Sequence, residues 1–270
     1  MIESLKYGIP YVPHGIASFA LFGIDRYFLN HYGTLEDVGL YSLSYKFTLF
    51  VTLFMNAMQN TWTPYRNDLL NKKNGFKIIS VSTTYFFMIM SIVSIIVSSL
   101  SKEVLLIMAN EKFLDAYKVT PILCLSYLIY SGYYTFGTNG IAKMMASKWM
   151  PLVSFIALVV NVIFNFLLIP YYGMNGAAFA TLISYLVMTS VSYYISNRLF
   201  YVQYEWHRIF MIGIFSILII IINIFCFNDM TIFHSTVLKS FTILFGLITI
   251  FYGLLLNKEE KEIIRATINS

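Results

Sequence analysis

The sequence predicts an all-α fold: a polytopic membrane helical bundle of eight transmembrane helices joined by short loops. Three observations predict it. The 270 residues are 58% hydrophobic and only 11% charged, with a mean hydropathy of +0.71. Soluble domains carry about 25% charged residues, so a chain this apolar could not cover a water-facing surface. Eight apolar stretches reach roughly the 20 residues that a helix needs to cross hydrocarbon, at 7–31, 39–61, 78–100, 119–140, 152–169, 176–195, 209–227 and 232–256. The basic residues then alternate between the two sides. Twelve of the 18 Lys and Arg fall on the side of the amino terminus and three on the other, which places both termini in the cytoplasm.

Each stretch has local support. The first contains Pro10, Pro13 and His14 and is followed by no small-residue cleavage site, so no cleavable leader is expected. Asp25 and Arg26 lie inside it, toward its outer end, and the loop 32–38 separates it from the second. The third is flanked by Lys72, Lys73 and Lys77 before it. After it comes an outward loop in which Lys102, Lys112 and Lys118 mix with Glu103, Glu111 and Asp115. Pro121 and Pro151 stand at the starts of the fourth and fifth, where a first helical turn tolerates proline. Pro170 with Gly173 marks a tight turn between the fifth and sixth. No segment outside the spans exceeds about twenty residues, too short for a folded domain, so any function must reside between the helices.

Several function classes find no support. The four histidines, His14, His31, His207 and His234, are scattered without a His-x-x-x-His pair, and no P-loop, Gly-x-Ser-x-Gly or Asp-x-Asp occurs. The chain is not read as an enzyme, and no cofactor is expected. Cys124 and Cys226 lie in apolar stretches without metal-ligand spacing and read as inert core residues. The "GTNG" at 137–140 reads as a turn or a close-packed span end. The net charge of +5 reflects loop charge rather than nucleic-acid binding.

Polar groups at membrane depth carry the candidate site, because an ionisable residue in a span usually faces protein or water. Arg26 and Lys46 flank the first loop at similar separations, which puts both about 14 Å from the turn at 1.5 Å per residue. With Asp25 beside them the cluster sums to one excess positive charge. Two readings stay open: the cations snorkel outward while Asp25 pairs internally, or the excess charge faces a cavity that receives an anion. Further stripes are Asn56, Gln59 and Asn60 in the second span, Tyr127, Ser131, Tyr134 and Thr138 at 4-3-4 spacing in the fourth, and Asn161 with Asn165 in the fifth. Interhelical hydrogen bonding, worth about 1 kcal/mol or less per contact, accounts for such residues equally simply. The tyrosine face also suits a sugar.

Several segments together resemble a known family. "LKYGIPYVPHGIASFALFGIDRYFLNHYGTLEDVGLYSLSYKF" resembles the seventh and eighth helices of polysaccharide (O-antigen type) flippases, within the multidrug/oligosaccharidyl-lipid/polysaccharide exporter superfamily. The shared features are the GIP before the helix, Asp25-Arg26-Tyr27-Phe28 near its outer end, and Val38-Gly39-Leu40-Tyr41-Ser42 opening the next. "TWTPY" at 61–65 is similar to the family's tryptophan–proline helix end, and "NFLLIPYYGMNGAAFATLISY" at 165–185 to its junction between the eleventh and twelfth helices.

The resemblance implies movement of a lipid-linked oligosaccharide, typically on undecaprenyl diphosphate, across the cytoplasmic membrane of a bacterium. That step serves cell-surface polysaccharide biosynthesis, lipopolysaccharide O-antigen included. It matches only the C-terminal lobe, at 1–197, followed by two additional helices and a tail at 198–270. The expected partners are the lipid-linked oligosaccharide, membrane lipid and a missing or separately encoded N-terminal lobe; no nucleic acid is expected. The candidate substrate cavity then comprises Arg26, Lys46, Asp25, Tyr127, Tyr134, Asn56 and Asn60. Arg26 and Lys46 would attract the diphosphate, Asp25 would hold them or couple to H+ or Na+, and the tyrosines would meet sugar. The alternatives are a cation-coupled drug or metabolite exporter of the same superfamily, or a membrane polysaccharide polymerase or glycosyltransferase.

Overall fold

The computed structural model describes residues 8–72, 75–108, 111–227 and 232–249. Lys6, Lys73, Lys258, Lys261, Arg265 and the last part of the eighth predicted span lie outside the described residues. Among those described, the chain is all-α, with no strand. Helices α1 (Tyr11–Tyr32), α2 (Leu35–Leu69) and α3 (Gly75–Met108) come first, then a 3-10 segment at Glu111–Lys118. Helices α4 (Thr120–Thr135), α5 (Asn139–Lys143), α6 (Trp149–Leu199), α7 (Trp206–Phe227) and α8 (Ile232–Ile248) follow. Four of them, α2, α3, α6 and α7, are long and apolar enough by themselves to cross a membrane. The chain is a membrane protein.

The turn between α1 and α2 is set by two local devices. Gly33 closes α1 through its N–H to Leu29 O at 2.8 Å. Thr34 opens α2 with a reciprocal cap: its hydroxyl accepts from Asp37 N at 3.1 Å, and the Asp37 carboxylate accepts from Thr34 N at 2.9 Å. Near the other end of α2, Pro64 sits inside the helix, where it supplies no N–H to the carbonyl one turn earlier.

Helix α6 contains the fifth and sixth predicted spans. Gly173, at φ 53° and ψ −131°, breaks it between them, in a backbone region that side-chain-bearing residues rarely occupy. Both halves return to α1: Asn165 before the break and Thr181 after it each bond Asp25. Helix α4 lies between α3 and α6 and also touches α2. Its end approaches α6 closely. A Cβ on Gly140 would lie 1.9 Å from Ser196 O, while Gly140 N donates to Ser196 Oγ at 2.7 Å and Ser192 Oγ donates to Gly137 O at 2.6 Å. The glycines of "GTNG" therefore serve close packing.

Two boundaries differ from expectation. The fourth span, expected to reach residue 140, gives α4 ending at Thr135, then a turn and the short α5. Close contact of Gly137 and Gly140 with α6 requires the chain to turn there. Glu103, expected in an outward loop, belongs to α3, which runs two turns further. It is buried and accepts from Lys239 Nζ at 2.8 Å and Ser235 Oγ at 2.7 Å. That buried pair carries the helix onward past residue 100. Asn223 of α7 adds a bond to Ser99 Oγ at 2.8 Å. Helices α7 and α8 thus dock on α3 through polar contacts within an apolar surround.

Candidate functional site

Asp25 sits in α1, 1% exposed, where α1, α2 and both halves of α6 meet. One carboxylate oxygen accepts from Asn165 Nδ2 at 2.8 Å. The other accepts from Tyr41 OH at 2.6 Å and from Thr181 Oγ1 at 2.7 Å. Asn165 Nδ2 also reaches Asn161 Oδ1 at 2.9 Å. All these donors are neutral. Asn161 Nδ2 and Asn165 Oδ1 are left buried without a hydrogen-bond partner, a costly state for polar atoms away from water. The carboxylate, the Asn165 amide oxygen and the Thr181 hydroxyl are hard oxygens of the type that hold small cations.

Neither cation of the predicted cluster pairs with Asp25. Arg26 turns the other way, half-buried, with its guanidinium 4.5 Å from the Tyr45 ring centre. It donates to Ser42 Oγ at 3.2 Å and to Phe22 O at 3.1 Å. Lys46 is exposed and makes no hydrogen bond or ion pair among the described residues. The roughly 100° between successive residues on a helix separates Asp25 and Arg26, one inward and one at the rim.

The predicted tyrosine stripe splits between two neighbourhoods. Tyr127 is buried and its hydroxyl bonds that of Tyr45, next to the Asp25 cluster. Tyr134, half-buried, bonds Tyr130 at 2.7 Å nearer the other end of α4. Tyr185 bridges the two groups, edge-on to Tyr127 at 5.6 Å and stacked on Tyr130 at 4.5 Å. Asn56 and Asn60 are exposed on α2, where with Thr63 they form a polar stripe at 4-3 spacing. A face of this kind is poorly matched to lipid.

The sequence reading marked Asp25 but not its cage. Asn161 and Asn165 stood out by their spacing as a helix–helix pair. Tyr41 stood out only within the family-like segment opening the second span, and Thr181 only within the segment at 165–185; neither was marked as a partner of Asp25. Among the described residues no three His, Cys, Asp or Glu side chains gather to hold a metal ion.

Two curated proteins resemble the chain. A protein of the Lsg locus of Haemophilus influenzae, numbered 1 there, is 25% identical over 198 residues, covering 70% of this chain and 49% of that protein. An uncharacterized membrane protein of Methanocaldococcus jannaschii is 28% identical over 143 residues, covering 50% of this chain and 27% of its own length. The chain thus spans half or less of these relatives. No family model matches it, and no solved structure does.

Proposed function

We propose that the chain is one lobe of a transporter that moves a lipid-linked oligosaccharide across the cytoplasmic membrane for cell-surface polysaccharide synthesis. Both termini lie in the cytoplasm on this reading, and a second lobe covers the polar face of α2. The observation that carries it is Asp25: a carboxylate buried where three helices meet, ringed by neutral donors, with an amide oxygen beside it lacking a partner. Such a group in a membrane span suits binding and release of a proton or sodium ion. Because its donors come from α1, α2 and both halves of α6, a change in what Asp25 binds would shift how those helices pack. Lys46 and the exposed Asn56 and Asn60 then face the substrate path, with Arg26 at its rim.

The test is complementation in a bacterium lacking its own flippase, with this chain co-expressed beside an N-terminal lobe. Surface polysaccharide is expected to fall strongly for Asp25→Ala and to persist in part for Asp25→Glu. An Arg26→Ala, Lys46→Ala double variant is also expected to lose export. Undiminished polysaccharide in that double variant would remove the cations from the substrate path, and in Asp25→Ala would end the ion-coupled reading.

A further inference from the structure

A line of tyrosines runs down the bundle from the Asp25 cage, and its hydroxyls need a reason. Tyr41, Tyr45, Tyr127 and Tyr185 are buried, and Tyr130 and Tyr134 are half-buried. They come from α2, α4 and the second half of α6. Phenylalanine would fill the same space without a polar tip, and a phenol inside a membrane bundle must find a partner for its O–H. The partners here are chiefly one another. Tyr41 OH donates to Asp25 Oδ2 at 2.6 Å. Tyr45 and Tyr127 share a hydrogen bond between their hydroxyls, and Tyr130 and Tyr134 share another at 2.7 Å. The Tyr185 hydroxyl lies beside that of Tyr127.

The rings form a continuous series. Their centres lie 6.1 Å apart from Tyr41 to Tyr45, 6.0 Å from Tyr45 to Tyr127 and 5.6 Å from Tyr127 to Tyr185. The next two steps, Tyr185 to Tyr130 and Tyr130 to Tyr134, are 4.5 Å and 5.1 Å. The far end of the series is polar. Tyr134 lines a cavity of about 150 Å3 together with His14, Gln59 and Thr138. A single water needs roughly 10–15 Å3 on such a measure, so the cavity has room for several. Arg66 borders it, already bonded to Thr138 Oγ1 at 2.9 Å. Tyr41 and Gln59 are 18 positions apart on α2, so the series covers about 27 Å along the bundle.

We propose that these six tyrosines are a hydroxyl relay that moves protons between Asp25 and the cavity. The proposal rests on the reading of Asp25 as an ion-binding carboxylate, and it makes the ion a proton exchanged with the side of the amino terminus. Each hydroxyl accepts one proton and passes on its own. Water in the cavity protonates the Tyr134 oxygen, the shift runs along the series, and Tyr41 hands its proton to Asp25 Oδ2. One proton leaves the cavity, one arrives on the carboxylate, and every tyrosine ends neutral. Both hydroxyl pairs can donate in either direction, as such a relay requires. One bridging water at each of the joints Tyr41–Tyr45 and Tyr185–Tyr130 completes the path. The ionisable neighbours of Asp25 are Tyr41 and Tyr45 on α2, Tyr127 on α4, Tyr185 on α6 and Arg26 on its own helix. The Arg26 guanidinium turns to the Tyr45 ring instead, so protonating Asp25 breaks no ion pair among the described residues.

The experiment follows the carboxylic acid C=O stretch of Asp25 by time-resolved infrared spectroscopy. The full chain is held in sodium-free nanodiscs, and a flash releases protons from a caged acid. Loss of the band in Asp25→Asn identifies it. In the native chain the band is expected to rise after the flash. Tyr127→Phe and Tyr134→Phe should each slow that rise about a hundredfold and leave its final amplitude unchanged, because a relay sets the rate and not the equilibrium. Tyr65→Phe, at an exposed position on α2 away from the series, should match the native chain. Native rates in both relay variants overturn the relay and leave an ion-binding Asp25 standing. A changed amplitude at the native rate places the hydroxyls in the cage alone, and also overturns the relay. Absence of the band at every pH overturns the relay and the proton form of the transporter reading together. The two relay variants interrupt separate steps, so either one decides the matter should the other fail to fold.

Discussion

Three hydrogen-bond donors converge on Asp25, and their arrangement fixes what a substitution should do. Asp25→Ala removes the shared acceptor of Tyr41, Asn165 and Thr181, while Asn165 keeps Asn161 Oδ1 and Thr181 keeps Ala177 O as acceptors. The loss falls chiefly on the Tyr41 hydroxyl, and a buried donor deprived of its acceptor costs about 1–3 kcal/mol, so the variant should melt below the native chain in detergent. Asp25→Asn keeps an oxygen and should recover part of that loss; equal melting of all three proteins would contradict the cage. At this scale the sequence was half legible. A charge pair inside an apolar stretch announces itself, but Thr181 is 156 positions away and only folding brings it near. Arg66 was equally hidden. It follows the predicted second span and reads as loop charge, whereas α2 continues to Leu69 and buries it.

At the scale of elements, two glycines do different jobs, and the difference can be measured. Gly173 has open space where a side chain would go, with nothing nearer than Asp37 Oδ1 at 3.9 Å, but a backbone of positive φ. Gly173→Ala should therefore cost about 1–3 kcal/mol through backbone strain alone. Gly140 has no such strain, but its Cβ would meet Ser196 O at 1.9 Å. Gly140→Ala should cost at least about 1–3 kcal/mol by pushing α5 and α6 apart. Pairing Gly140→Ala with Ser196→Gly should give no rescue, since the obstructing atom is backbone; recovery of the native melting point would refute that account. Spans were the most legible elements, because an apolar run long enough to cross a membrane is a coarse signal. Their ends were less so: the stop of α4 at Thr135 depends on α6 lying against Gly137 and Gly140, a contact no local pattern announces.

Across the whole molecule, the buried Glu103–Lys239 pair links α3 to α8. Removing Lys239 leaves the Glu103 carboxylate buried without its cation, at a cost of about 3–5 kcal/mol, whereas replacing both by neutral residues of similar size costs far less. Lys239→Met should therefore loosen α8 and expose it to protease, and Glu103→Gln with Lys239→Met should restore much of the protection. A double variant as sensitive as the single would show that the pair does not act as a unit. Hydropathy and loop charge made the all-α membrane architecture legible. They did not make legible which spans touch: Glu103 looked like loop acid and Lys239 like a lone charge in a span, and each explains the other once the helices are together.

The polar stripe of Asn56, Asn60 and Thr63 has a consequence for the life of the protein in the cell. A helix that shows amides and hydroxyls on its outside cannot settle quietly among lipid tails; it draws water toward the bilayer interior and invites any surface able to hydrogen-bond. If the proposed second lobe covers α2, the abundance of this chain should follow the supply of that lobe.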